Sequence, residues 1–305
     1  MSSSHLNTDV LDTDITAPHE AELMLSRRCF LRSAAAVPLA MAAPALADQP
    51  LLKAKRTVPI PESERRERAA ASDRVKAIRE QSRQTLDEAG FRFALSLPYL
   101  PEEATLRPIG DVARRLMALN AVFLWAAPAG AGVRDDTFGP YRQANRLDPF
   151  LTDEDRAILA TDRATAVARH GAMIGWRLEN MWPLAWIVGF DRQPPLRGMI
   201  DGDTISPLIG GLLEVFETSV EALVQNRTDG PDAKPLRSAP EVLAMTDLFY
   251  CAHNAVRSAQ LDPDSGTVPD GFDPGPDGTI VHERRHAFTW SISPGIAWPD
   301  TNLST

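Results

Sequence analysis

Near the C-terminal end of the chain, Val281-His282-Glu283-Arg284-Arg285-His286-Ala287-Phe288-Thr289-Trp290 contains a His-Glu-x-x-His arrangement. Residues four apart share one face of a helix, so this spacing sets two imidazoles one turn apart with a carboxylate between them. That is the donor set that binds zinc and activates its water. On this reading His282 and His286 are metal ligands, Glu283 is the general base, and the protein is a zinc-dependent hydrolase. A third ligand has to come from elsewhere. After His286 the only acid is Asp300, so His253 or Asp247 would have to complete the set. The same residues also form an amphipathic helix whose Glu and Arg pair internally, with no cofactor and no catalysis. This second reading leads.

A further constellation lies on the preceding helical stretch, Asp247, Tyr250, His253 and Arg257. Positions 250, 253 and 257 share a face and line up a phenol, an imidazole and a guanidinium. If they meet the polar residues of neighbouring helices, the expected network comprises Arg177, Glu179, Asp247, His253, Arg257, Glu283 and Arg284. Such a cluster can bind a ligand, with His253 as its titrating group, or simply fix how helices dock. Cys251 falls in an apolar pattern and is expected to be a core residue. Asp262-Pro263-Asp264-Ser265-Gly266 lacks the ligand spacing of a calcium loop. Neither a nucleophile elbow nor a glycine-rich phosphate loop is present in the sequence.

The elements that must position these residues are helical. Thr152-Asp153-Glu154-Asp155 and Ser238-Ala239-Pro240-Glu241 are capping sequences, the second opening a helix to about Leu261. A cap at Thr161-Asp162 starts a helix expected to continue to Phe190. Within it, Trp176 to Phe190 is apolar on nearly every side, as the central helix of a bundle would be, with a kink at Pro183. Asp111 is expected to cap an apolar helix to about Ala127, and Pro128 to Asp148 reads as a loop. A helix over about Ser206 to Gln225 and a last one over about Ile280 to Ile292 complete the set, with Pro263 to Gly278 a loop. Phe91 to Pro108, broken by prolines, should be irregular, with room for a strand over Phe91 to Leu97. The fold class is therefore all-α, an irregular multi-helix domain around a buried apolar central helix.

The chain has 305 residues, 44% hydrophobic and 24% charged, with a formal charge of −9. That composition supports a globular core, and the negative charge argues against nucleic-acid binding. Ser26-Arg27-Arg28-Cys29-Phe30-Leu31-Arg32, the mild apolar run Ser33 to Leu46 and Ala45-Leu46-Ala47 resemble a twin-arginine signal. Residues 1–47 are thus expected to engage the twin-arginine export machinery and to be removed, leaving a periplasmic protein without a membrane span. Met24 is an alternative start. Residues 48–61 read as a linker, 62–90 as a charged, solvated helix stopped by Gly90, and 91–305 as one helical domain. Once the signal is gone only His170, His253, His282, His286 and Cys251 remain of their types, so no internal disulfide can form.

Trp176-Arg177-Leu178-Glu179 and its apolar continuation, Asp247-Leu248-Phe249-Tyr250 with His253 and Arg257, Glu283-Arg284-Arg285 with Ala287 and Trp290, and Trp298-Pro299-Asp300-Thr301 together resemble the bacterial domain-of-unknown-function family DUF 4272. The resemblance covers roughly Leu106 to Thr305. It implies a mostly helical domain with no established activity, and it treats Glu-Arg-Arg as the pattern, with His282 standing where an aromatic is more typical. Ser304 departs from a tail that tends to be acidic in the family. The leading expectation is an exported domain that binds a small ligand or a protein partner.

Overall fold

The structure is a computed structural model that describes residues 71–101, 103–127, 135–190, 192–204, 219–229 and 236–305. The expected signal, the linker, the start of the charged helix and most of the helix over Ser206 to Gln225 lie outside the described residues. Among the described residues the regular elements are helices, and no strand is present. We number the principal ones α1 (Asp73–Glu88), α2 (Ile109–Ala126), α3 (Asp135–Ala144), α4 (Asp153–Leu159), α5 (Arg163–His170), α6 (Trp176–Ile187), α7 (Val220–Asp229), α8 (Ala239–Leu261) and α9 (Pro276–Ser291).

The helices pack in a row: α1 lies on α8, α8 on α9, α9 on α6 and α6 on α2, and α4, α5 and α7 surround the far side of α2. Its place in the row explains each helix's composition. α6, covered on both sides, buries every residue from Leu178 to Ile187, as its unbroken apolar sequence requires. α1, at the edge, buries only the stripe Val75, Arg79, Ser82 and Leu86 and leaves its charges to water. Phe288 ties the centre together, edge-on to Trp186 of α6 at 5.9 Å and 5.2 Å from Phe249 of α8. Where α9 starts, it runs so close to α8 that a Cβ on Gly278 would stand 2.7 Å from Val256 Cγ1, so only glycine fits without movement. Gly90, at φ +83°, ends α1 in the left-handed region.

The capping boxes form as expected: Thr152 and Asp155 exchange side-chain-to-backbone hydrogen bonds at the start of α4, and Ser238 and Glu241 do so at the start of α8. Asp162 caps α5. Four expectations are corrected. The segment over Phe91 to Leu97 is not a strand; its backbone bonds are turn-like, with Leu97 N–H donating to the Ala94 carbonyl. α2 begins at Ile109 after Pro108, and Asp111 sits in the first turn, where its charge faces the positive helix end without capping it. The helix expected from Thr161 to Phe190 is two helices, because turns over 171–175 separate α5 from α6 and let them take different directions. Within the stretch read as a loop after Pro128, α3 forms with Pro140 inside it; one proline removes one helical hydrogen bond, which so short an element tolerates.

Candidate binding site

α9 turns by 100° per residue, and the five residues His282 to His286 use that rotation to reach different neighbours. His282 Nδ1 lies 3.1 Å from His253 Nε2 on α8. Glu283 turns to α6, where Asn180 Nδ2 donates to its carboxylate at 2.7 Å and to its carbonyl at 2.8 Å. Arg284, fully buried, meets the equally buried Glu179 of α6 at 2.6 Å and 2.8 Å. Its remaining donors reach the carbonyls of Pro195 and Gly198, and Glu179 also accepts from Ile200 N–H at 2.8 Å. His286 Nε2 donates to the Trp298 carbonyl at 2.9 Å while its ring lies 4.2 Å from that indole.

Arg285 differs from the other buried arginines. Arg79, Arg115 and Arg284 each hold a carboxylate, of Asp247, Asp155 and Glu179 respectively. Arg107 is held by the carbonyls of Trp290, Ser293 and Ile296. Arg285 is 2% exposed, and among the described residues no carboxylate pairs with it. Nη1 donates to His253 Nδ1 at 2.6 Å and to the Leu303 carbonyl at 2.7 Å, Nη2 donates to the Ser304 carbonyl at 2.9 Å, and Nε has no acceptor. Burial pushes its pKa down to about 10, which still leaves it charged at neutral pH.

Because a guanidinium only donates, His253 must accept at Nδ1. Burial, with the charges of Arg285, His282 and Arg257, holds its pKa down at about 2, so the ring is neutral and its proton sits on Nε2. Nε2–H then donates to His282 Nδ1. One hydrogen-bonded line runs from Arg285 through His253 to His282.

Arg285 forms the floor of a cavity of about 570 Å³ between the Pro98–Thr105 segment, Tyr250, the end of α9 and the C-terminal tail. Thr289, Ser293 and Asn302 add polar groups, Leu100, Ile292 and several prolines add apolar wall, and Glu103 stands at the exposed rim. The Tyr250 ring lies 5.0 Å from the guanidinium carbon.

The seven residues expected to share one network are distributed over several places. Glu179 and Arg284 pair as described. Arg177 binds Glu154 at 2.9 Å and Asp155 at 3.1 Å, beyond the reach of Glu179 and Arg284 in this arrangement. Asp247 pairs with Arg79 of α1. His253 joins Arg285, Arg257 is exposed and donates to Gln260, and Glu283 has Asn180 in place of an arginine. Arg79, Asn180 and Arg285 are the residues that sequence reasoning missed. Arg79 left a signal, an arginine in line with the apolar stripe of α1.

A zinc ion does not fit the donors. His286 Nε2 is committed to the Trp298 carbonyl, Asp247 to Arg79, and His253 lies between His282 and the cationic Arg285. Among the described residues no group of three His, Cys, Asp or Glu side chains is placed to hold a metal.

A family model described as a domain of unknown function, DUF4272, matches residues 78–301. The chain belongs to that family. The DUF4272 match starts inside α1, earlier than the resemblance drawn from Leu106 onward, and so takes in Arg79 and its bond to Asp247. It also spans Glu179, His253 and all of α9, so both the buried pair and the cavity floor belong to the DUF4272 domain. Searches of curated proteins and of solved structures found no match.

Proposed function

We propose that this protein is an exported, non-catalytic binding domain whose ligand is a small organic monoanion, its carboxylate held by Arg285. The observation that carries the reading is a buried guanidinium with no carboxylate partner and a free Nε–H, lying at the floor of a cavity of ligand size. A buried charge left uncompensated is costly, and an anion entering the cavity would remove that cost. One cation asks for one negative charge, and the proline and leucine walls favour an apolar body behind it. The neutral His253 adds no second positive charge. The twin-arginine-like Ser26 to Arg32 and the apolar run behind it support export.

Thermal unfolding in the presence of acetate, hexanoate, octanoate and benzoate tests this. The larger carboxylates should raise the melting temperature, since ligand at a hundredfold excess over Kd adds about 2.7 kcal/mol. Hexylamine should not. Arg285→Met, which strands no buried carboxylate, should still fold and should lose the effect. Equal stabilisation of parent and Arg285→Met by the same acids would sink the proposal.

A further inference from the structure

On the other face of α9 a second cavity, of about 240 Å³, opens between α9 and the start of α6. It shares no lining residue with the Arg285 cavity, so the two proposals stand or fall separately. Two groups in it lack what their chemistry asks for. The Glu283 carboxylate has only the neutral amide of Asn180. The nearest cation, Arg177, is already bound to Glu154 and Asp155. Trp176 is 8% exposed, and its buried indole Nε1–H has no acceptor. Indole can only donate, so this group calls for a neutral or negative oxygen, while the carboxylate calls for a cation.

Trp176 and Asn180 stand one turn apart on α6, about 5–6 Å between their Cβ atoms, and Asn180 holds Glu283 in place. A ligand serving both groups has an ammonium nitrogen and an oxygen separated by two carbon atoms, with a hydrogen bond added at each end. A carboxylate oxygen would meet Glu154 at the same rim, which favours a neutral acceptor. We propose that this cavity binds a small primary amine carrying a neutral oxygen, the class of amino alcohols and α-amino amides, with the ammonium on Glu283 and the oxygen on the Trp176 indole N–H. Ile174 and Met173 supply the apolar wall.

The test uses the whole protein with 15N-labelled tryptophan, glycinamide and ethanolamine as probes, and acetamide and methylamine as controls. Trp176→Phe identifies the indole signal of Trp176. Glycinamide and ethanolamine should shift that signal saturably, and each control should bind about tenfold more weakly or worse. Glu283→Gln keeps an oxygen for Asn180 and should melt like the parent, yet should lose about tenfold or more in affinity for both probes. Acetamide binding as tightly as glycinamide, an unchanged affinity in Glu283→Gln, or a Trp176 signal that no probe moves would each overturn the assignment. Should Glu283→Gln fail to fold, the comparison of glycinamide with acetamide on the parent decides alone.

Discussion

Arg284 and Arg285 are neighbours in the chain, both are buried, and only the first has a carboxylate. Their substitutions should therefore behave differently. Arg284→Met leaves Glu179 charged in an apolar core and should cost about 3–5 kcal/mol, seen as a lower urea midpoint. A Glu179→Leu, Arg284→Met double variant should recover much of that, because no charge is stranded. The histidines make a prediction with pH. His253 and His286 are held neutral in the folded state by burial, at about 2 and about 4, the second despite its bond to Trp298. An unfolded histidine titrates near 6.5, so below that pH the unfolded chain binds more protons than the folded one and stability must fall on acidification. The loss should approach about 1.4 kcal/mol per pH unit per histidine between pH 6.5 and 4. Glu179 and Glu283, which burial raises, work in the opposite sense. His286→Gln isolates one term, and its melting temperature should decline less between pH 6.5 and 4.5 than that of the parent.

At the scale of elements, the helices with capping sequences were legible, because Ser238 with Glu241 and Thr152 with Asp155 satisfy the first-turn N–H groups locally and depend on nothing distant. α6 was legible as the centre because its composition leaves no face for water. What periodicity could not supply was the partner of each face. It set Tyr250, His253 and Arg257 on one side of α8 correctly as a matter of spacing, but whether that side meets α6, α9 or solvent depends on packing that no local pattern records. Hence Arg257 emerged in water, Asp247 went to a helix 168 residues away in the chain, and the guanidinium that opens on the larger cavity was not among the candidates. The charged first helix was expected to be an extension and is instead joined to the core through Arg79. Arg79→Met should cost about 3–5 kcal/mol by leaving Asp247 buried and alone, whereas Arg83→Met, in an exposed pair on the same helix, should change stability by less than about 1 kcal/mol. Chemical denaturation of the two variants side by side checks this.

For the whole molecule, the expected route out of the cell can be read in a fractionation experiment. Replacing Arg27 and Arg28 together by Lys should hold the protein in the cytoplasm, while the parent should be recovered outside it with Asp48 as its first residue. No helix among the described residues is long and apolar enough to cross a membrane. The two cavities, on opposite faces of α9, would let a carboxylate and an amine be held at once without touching. The same rotation that separates them makes the chain intolerant of a change of length there. One residue inserted between Gly278 and His282 would swing every later side chain through 100°, taking Arg284 off Glu179, Glu283 off Asn180 and Arg285 off the tail in a single event. Letters in α9 can be exchanged one contact at a time, but its spelling length is a single all-or-none instruction, and a frame error of one position would be read by the whole row of helices at once.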